Sequence, residues 1–194
     1  MKKKVVFFDF SGVVASPGYL QWVKEHVPNL GARQAIFNDI FLKLDKGEIM
    51  RSDLDAFLSE QTGIPTHEIL PSVLKKVVLD SNIISLIEKL RKAYKVVLLT
   101  NYSYEVLDEI FIINQLTLLF DEVIISSKHG MIKPDIAFFK KALEIMDITP
   151  NEAIFIDDAK KNVDGANKLG IKAFLFTSFE KLKLDLTEVG AINN

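Results

Sequence analysis

The chain of 194 residues contains no cysteine, which excludes disulfide bonds, thiolate metal sites and a cysteine nucleophile. It also lacks a long basic run, and its formal net charge of −2 argues against nucleic acid as its main partner. No segment is apolar for long enough to cross a membrane. We therefore expect a cytoplasmic protein that binds neither nucleic acid nor a membrane.

The composition is otherwise that of an ordinary globular domain, with 48% hydrophobic and 26% charged residues. A chain of this length fits one domain with room for an inserted subdomain, and its oligomeric state is open between a monomer and a homodimer. The basic first residues superficially resemble a signal peptide. Because Asp9 interrupts the short apolar run that follows them, we expect a β-strand there instead.

Five short apolar runs, rich in β-branched and aromatic residues, predict buried parallel strands. Amphipathic segments with helical spacing lie between them, and Ser81 is the expected N-cap of one. This alternation predicts an α/β fold with a Rossmann-like, doubly wound parallel sheet. The predicted strands are Val5–Phe8, Lys95–Thr100, Glu122–Ser126, Ala153–Asp157 and Lys172–Phe176.

Residues 15–79 break this alternation, because they hold several helical stretches and no convincing strand. Turn signals at Pro28, Gly47 and Gly63 separate these stretches. We therefore expect an α/β core domain formed by residues 1–14 and 80–194, with residues 15–79 inserted as an all-helical cap subdomain. A cap over the carboxyl edge of the sheet would exclude water and select the substrate.

Polar residues follow the carboxyl ends of the predicted strands, where open α/β sheets place their ligands. Three of them are carboxylates whose mutual repulsion a cation would relieve, and hard oxygen ligands of this kind favour Mg²⁺. The carboxylates are Asp9 after the first strand and the pair Asp157 and Asp158 at the end of the fourth.

Two other strand ends carry groups suited to a phosphate. Thr100 and Asn101 precede a helix expected to begin near Ser103, and free N–H groups at a helix start bind phosphate. Lys133, in the loop after the third strand, can neutralise a phosphoryl oxygen or shield a carboxylate nucleophile. Carboxylates, a cation, a hydroxyl and a lysine are together what phosphoryl transfer through an aspartyl-phosphate needs.

The segments DFSGVV, LLTN, KPD and IFIDD, in this order, resemble the four motifs of the haloacid dehalogenase (HAD) superfamily. The resemblance covers nearly the whole chain, because residues 15–79 fall where that superfamily inserts its first-type cap. Within it the chain is similar to small sugar-phosphate phosphatases of the α-glucose-1-phosphate phosphatase type, and the stretches DKGEI and GMIKPD strengthen this similarity. The implied function is Mg²⁺-dependent hydrolysis of a small phosphorylated metabolite.

The resemblance also implies individual roles at the matching positions. Asp9 would be the nucleophile that attacks phosphorus. Mg²⁺ would be held by the Asp9 side chain, the backbone carbonyl of Ser11, and Asp158, with Asp157 close by. For the phosphoryl group, the resemblance implies contacts from Thr100, from the backbone amide of Asn101 and from Lys133, which would bridge Asp9 and the phosphate.

One departure from the family pattern concerns catalysis directly. Most phosphatases of the superfamily carry an aspartate where this chain has Ser11, and that aspartate protonates the leaving group and then activates water. General acid–base assistance is typically worth about 10²–10⁴-fold, so its loss is serious. A milder departure is Asn162, where many relatives carry another acid; a side-chain amide there can still donate a hydrogen bond.

The departure at Ser11 keeps other functions open. A pseudo-enzyme that binds phosphate and metal without turnover is the main alternative. Haloacid dehalogenation is less favoured, because the relatives that perform it carry a tyrosine at the Ser11 position. Phosphonate hydrolysis uses a small residue at that position but also needs a lysine in the cap, for which Lys24, Lys43 and Lys46 are available.

Overall fold

The computed structural model describes residues 4–193. Within them, five strands form one sheet in the order β3-β2-β1-β4-β5, and every neighbouring pair is parallel. The predicted doubly wound α/β fold is confirmed. The strands are β1 (Val5–Phe8), β2 (Lys95–Thr100), β3 (Glu122–Ile125), β4 (Ala153–Asp157) and β5 (Lys172–Leu175).

The helices fall into two groups, one between β1 and β2 and the other distributed around the sheet. Helices of the first group are α1 (Gly18–His26), α2 (Leu30–Asp45), α3 (Arg51–Thr62) and α4 (Thr66–Leu74). Those of the second group are α5 (Ser81–Leu90), α6 (Tyr104–Asn114), α7 (Ser126–His129), α8 (Ile136–Ile145), α9 (Lys160–Lys168) and α10 (Phe179–Glu188).

The sheet is buried on both faces, as the continuous apolar strands require. Alternate residues of a strand point to opposite faces. Val6 and Phe8 belong to the buried cluster that includes α5, α6 and α10, whereas Val5 and Phe7 belong to the cluster that includes α8 and α9. The central strand is thus fixed from both sides, and the residue that follows it is held at a defined position.

The first group of helices packs mainly against itself. Trp22 is fully buried, and its indole N–H donates a hydrogen bond to the Ser72 hydroxyl at 2.6 Å, which joins α1 to α4. Among the described residues, no helix has both the length and the apolar character that a membrane span requires.

The chain leaves and re-enters the sheet region through two adjacent segments. The Ser16 N–H donates to the Val78 carbonyl at 2.9 Å, and the Asp80 N–H donates to the Val14 carbonyl at 3.0 Å. Asp80, rather than the expected Ser81, caps α5, because its carboxylate accepts the N–H groups of the next turn at 2.9 and 3.2 Å. The division into core and cap at residues 15 and 79 stays a prediction.

The end of α2 lies against the carboxyl edge of the sheet. The Ser126 hydroxyl of α7 donates a hydrogen bond to the Asp45 carbonyl. Gly47 has a φ of +69°, and a Cβ at this position would lie 2.3 Å from the Ser127 carbonyl oxygen. Only glycine allows so close an approach with this backbone conformation, so the loop after α2 rests directly on α7.

Candidate active site

Three carboxylates meet at the carboxyl ends of the two central strands. Asp9 follows β1, and its N–H donates to the Ile156 carbonyl of β4 at 2.9 Å. Asp157 ends β4 and Asp158 follows it. Each of the three residues offers a carboxylate oxygen within 4.8 Å of the others. The parallel pairing of β1 and β4 therefore brings together the acids that the sequence places almost 150 residues apart.

Lys133 lies between two of these acids. Its ammonium group is 2.8 Å from Asp9 Oδ1 and 2.7 Å from Asp157 Oδ2, and its side chain is 1% exposed. One cation between two carboxylates leaves the buried cluster with a net negative charge. Because burying uncompensated charge is costly, the cluster is suited to a second cation.

The pKa values of this cluster follow from burial and from its charges. Burial raises the pKa of Asp9 to about 6; Lys133 opposes this shift, and Asp157 adds to it. Burial by itself lowers the pKa of Lys133, but the two carboxylates more than offset that effect and the net shift is upward. Lys133 is therefore a permanent cation, while Asp9 holds a proton more readily than an exposed aspartate.

Asp157 is saturated with hydrogen bonds from its own surroundings. Its Oδ1 accepts the Ala159 N–H at 2.8 Å and the Asn162 amide at 3.0 Å. Its Oδ2 accepts the same Asn162 amide at 3.0 Å and the Lys133 ammonium at 2.7 Å. A carboxylate has about four acceptor positions, and these contacts occupy them. Asp9 and Asp158 are the cluster members with capacity left for a metal ion.

Asn101 contacts the loop that carries Lys133, and Thr100 precedes Asn101 as the last residue of β2. The Asn101 side chain accepts the Lys133 N–H at 2.8 Å and donates to the Lys133 carbonyl at 2.9 Å, so it fixes the loop that carries the lysine. The Thr100 hydroxyl is buried and has no hydrogen-bond partner among the described residues. A buried hydroxyl without a partner is costly, which makes it a ready donor for a bound oxyanion.

The helix predicted to begin near Ser103 is α6, which has Ser103 as its N-cap. The N–H of Tyr104, its first residue, donates to the Ser127 hydroxyl of α7 at 2.9 Å, and the N–H of Tyr102, just before the helix, donates to the Ser126 hydroxyl at 2.9 Å. These N–H groups are therefore not free for a phosphate. Serine side chains contributed by a distant helix satisfy them, and the sequence pattern around Ser103 gives no sign of this.

The turn after Asp9 requires a glycine. Gly12 has a φ of +84°, and a Cβ there would lie 2.2 Å from Asp158 Oδ2. This turn brings Asp158 against residues 11–12. Ser11 forms a bridge with Ala15 and faces a cavity above the strand ends.

That cavity has a volume of about 460 Å³ and lies between the first group of helices and the sheet edge. Its helical side carries mostly apolar side chains, including Tyr19, Leu20, Phe41 and Leu44. The sheet side carries polar groups and one aromatic ring. Those residues are Ser11, Asn101, Tyr102, Ser103 and Lys161, and Asp45 lines the cavity from the end of α2.

Comparison with known proteins decides the family. A model of the haloacid dehalogenase-like hydrolases matches residues 32–176, which is most of the chain. The chain belongs to this family. The resemblance to the haloacid dehalogenase superfamily is therefore confirmed.

Two relatives of this HAD-like hydrolase are phosphatases. The chain is 26% identical over 172 residues to the sesquiterpene phosphatase of Aspergillus oryzae, covering 87% of both chains. Its similarity to the glyceraldehyde 3-phosphate phosphatase of Pyrococcus furiosus is local, with 37% identity over 68 residues. That match spans 34% of this chain and 28% of the relative, so the chain covers less than a third of that relative's length.

A solved HAD family enzyme from Bacteroides thetaiotaomicron has the same fold. One structure of it superposes with a TM-score of 0.79 at 24% identity and covers 91% of this chain and 95% of that one. Another structure of that enzyme contains magnesium and inorganic phosphate, and it superposes with a TM-score of 0.74. At this level of identity the comparison establishes the shared fold.

The raised pKa of Asp9 predicts how the stability of this HAD-like hydrolase depends on pH without metal. An acid whose pKa is higher in the folded state stabilises at low pH, and this contribution is lost as pH rises from 3.8 to about 6. We expect the free energy of unfolding to fall by up to about 3 kcal/mol across this range. Urea titrations of the EDTA-treated protein would measure it.

Magnesium should reverse this loss, because a cation relieves the repulsion among the carboxylates. The rise in melting temperature caused by Mg²⁺ should therefore be larger at about pH 8 than at about pH 5. Two results would contradict the raised pKa of Asp9 and its relief by a cation. One is a Mg²⁺-induced rise in melting temperature that is the same at both pH values. The other is a free energy of unfolding that increases, without metal, as pH rises from 3.8 to about 6.

Proposed function

We propose that the chain is a Mg²⁺-dependent phosphatase that hydrolyses a small phosphomonoester through an aspartyl-phosphate on Asp9. The observation that carries the proposal is the pairing of Asp9 with Lys133, at 2.8 Å, inside a cluster of carboxylates. The buried Thr100 hydroxyl at the end of β2, which has no hydrogen-bond partner among the described residues, supports it. A buried aspartate next to a fixed cation suits nucleophilic attack on an electron-rich phosphorus.

The residues present fit a magnesium site. Asp9 and Asp158 would hold the ion together with the backbone carbonyl of Ser11, and all three donors are the hard oxygens that Mg²⁺ prefers. Asp157 would position Lys133 and the neighbouring helix, because its acceptor positions are used there. When bound, Mg²⁺ supplies positive charge that draws the phosphoryl group towards Asp9 and stabilises the charge that develops on it.

In this proposal each side chain has a separate task. Asp9 attacks phosphorus with a carboxylate oxygen and carries the phosphoryl group until water removes it. Lys133 stays charged and neutralises a phosphoryl oxygen, while Asn101 holds the loop of Lys133 in place. The Thr100 hydroxyl donates a hydrogen bond to another phosphoryl oxygen, and the Asn101 backbone amide donates a further one.

Residues 15–79 act in this proposal as the cap that selects the substrate. The helical side of the cavity is mostly apolar, with Tyr19, Leu20 and Phe41 among its residues. This lining favours a phosphomonoester with an apolar organic group over the sugar phosphate expected from the resemblance. The A. oryzae relative, which is named a sesquiterpene phosphatase, agrees with this choice.

Binding without turnover is the second candidate, and Ser11 is the observation that favours it. A serine hydroxyl at this position cannot act as a general acid near neutral pH. Changing Ser11 to Asp should raise hydrolysis if only the acid is missing. If the protein and this variant both bind Mg²⁺ and phosphate but neither turns over an ester, the binding function is the correct one.

The proposal is tested by assaying phosphate release from apolar alkyl and aryl phosphomonoesters and from sugar phosphates. We expect Mg²⁺-dependent turnover that EDTA abolishes, with the apolar esters preferred. No release from any ester with Mg²⁺ present would contradict a phosphatase. A preference for sugar phosphates would contradict the inference that the apolar lining of the cavity selects apolar esters.

The cytoplasmic location stays a prediction, which cell fractionation can test. The oligomeric state stays open between a monomer and a homodimer, and light scattering can decide between them.

A further inference from the structure

The proposed phosphatase lacks an acid at position 11, yet release of an alkoxide from phosphorus needs a proton. Ser11 cannot supply it, and the buried Asp157 is committed to Lys133 and Asn162. A proton donor must instead face the cavity from outside the carboxylate cluster. Among the described residues that line this cavity, Asp45 is the one carboxylic acid.

Asp45 is the last residue of α2 and reaches the cavity from the side opposite the strand ends. It lines the same space as Ser11 and Lys161. An ester whose phosphoryl group lies at Asp9 would extend its organic part towards the helices, so the leaving oxygen would lie between Asp9 and α2. This is the place where a proton donor must be.

The backbone of Asp45 is held against the sheet domain rather than left at a free helix end. The Tyr102 N–H donates to the Ser126 hydroxyl at 2.9 Å, and that hydroxyl donates to the Asp45 carbonyl. Gly47 brings the next turn against Ser127. Two contacts to α7 thus fix where Asp45 lies, as a catalytic group requires.

The surroundings of Asp45 favour a carboxyl group that keeps its proton near neutral pH. Burial raises the pKa of Asp45 to about 7, and the negative charge of Asp9 adds to this. Lys133 and Lys161 oppose the shift. Tyr102 also lies close, since burial and then the charge of Asp45 raise the pKa of that phenol. A general acid works best when its pKa is near the operating pH.

We propose that Asp45 is the general acid and base that replaces the acid missing at Ser11. This inference rests on the proposed phosphatase function. As a carboxylate oxygen of Asp9 bonds to phosphorus, the bond between phosphorus and the leaving oxygen breaks, and its electron pair takes the Asp45 proton. In the second step Asp45 accepts a proton from water as the water oxygen bonds to phosphorus and the bond to Asp9 breaks. Alcohol and inorganic phosphate leave, and Asp45 is protonated again.

The test compares Asp45→Asn on two esters. p-Nitrophenyl phosphate has a leaving group that departs without a proton, whereas a phenylalkyl phosphate releases an alkoxide that needs one. We compare kcat/KM, which reports phosphoryl transfer to Asp9 and not the later hydrolysis that both esters share. We expect kcat/KM for the alkyl ester to fall by about 10²–10⁴-fold, and kcat/KM for the aryl ester to change by less than about threefold. Asp39→Asn is the matched control, because Asp39 lies on the same helix, is exposed and pairs with Lys43.

A second variant separates catalysis from structure. Adding Ser11→Asp to Asp45→Asn should restore most of the activity on the alkyl ester, since the acid then returns to the position that most relatives use. Equal losses on both esters, or no loss on the alkyl ester, would overturn the role of Asp45. If the unaltered protein releases phosphate from no ester of the screen with Mg²⁺ present, the proposed phosphatase function itself fails, and this inference fails with it.

Discussion

Changing Asp9 to Asn is expected to reduce kcat on any substrate by at least about 10³-fold, since it removes the proposed nucleophile and one proposed metal ligand together. The protein should nevertheless remain folded. Burial raises the pKa of Asp9, so its charge is unfavourable in the metal-free fold, and a neutral amide avoids that cost. Steady-state phosphate release and the melting temperature should be measured on the same preparations.

The expected pattern for Asp9→Asn is lost turnover with an unchanged or higher melting temperature in EDTA. The variant should also lose most of the stabilisation by Mg²⁺. Asp108→Asn is a suitable control, because Asp108 is an exposed aspartate on α6. Retained turnover in Asp9→Asn would rule out Asp9 as the nucleophile, whatever the stability measurements give.

Among the variants proposed, changing Lys133 to Met is expected to lower the free energy of unfolding most. The ammonium group lies 2.8 Å from Asp9 and 2.7 Å from Asp157, and its removal leaves both carboxylates without their buried cation. Breaking a buried ion pair in this way typically costs about 3–5 kcal/mol. The variant should also lose most turnover, because the proposed contact to the phosphoryl group disappears.

Stability of the Lys133 variant should depend strongly on pH. Lys133 opposes the upward shift in the pKa of Asp9, so without the lysine Asp9 will hold its proton more tightly in the folded state. The variant should therefore be most stable at acidic pH and weaken as pH rises. Lys140→Met, at an exposed position on α8, should change the free energy of unfolding by no more than about 0.5 kcal/mol. A Lys133 variant as stable as this control at neutral pH would contradict the described cluster.

The sheet was predictable because its strands are buried on both faces and therefore read as continuous apolar runs. The positions of Asp9, Asp157 and Lys133 followed from one rule, that parallel strands deliver their carboxyl ends to a common edge. Local signals were less reliable. Ser81 is a good N-cap by type, but Asp80, one residue earlier, has the geometry that accepts two N–H groups.

Contacts between distant segments could not be predicted from the sequence. The side chain of Asn101 holds Lys133 through two hydrogen bonds, and the hydroxyls of Ser126 and Ser127 occupy N–H groups at the start of α6. Asp45 shows the same limit. In the sequence it is an acid among polar residues at the end of a helical stretch, and the packing of α2 on α7 brings it to the cavity.

The proposed aspartyl-phosphate mechanism is tested most directly by looking for a phosphoryl group on Asp9. The protein would be mixed with Mg²⁺ and a substrate identified in the ester screen, quenched in acid within milliseconds, treated with borohydride, and digested for mass spectrometry. An aspartyl-phosphate at position 9 would be converted to homoserine, and we predict this change in the peptide that contains Asp9 and in no other. Full turnover without modification at Asp9, or with the phosphoryl group on a different residue, would show that hydrolysis does not proceed through an aspartyl-phosphate on Asp9.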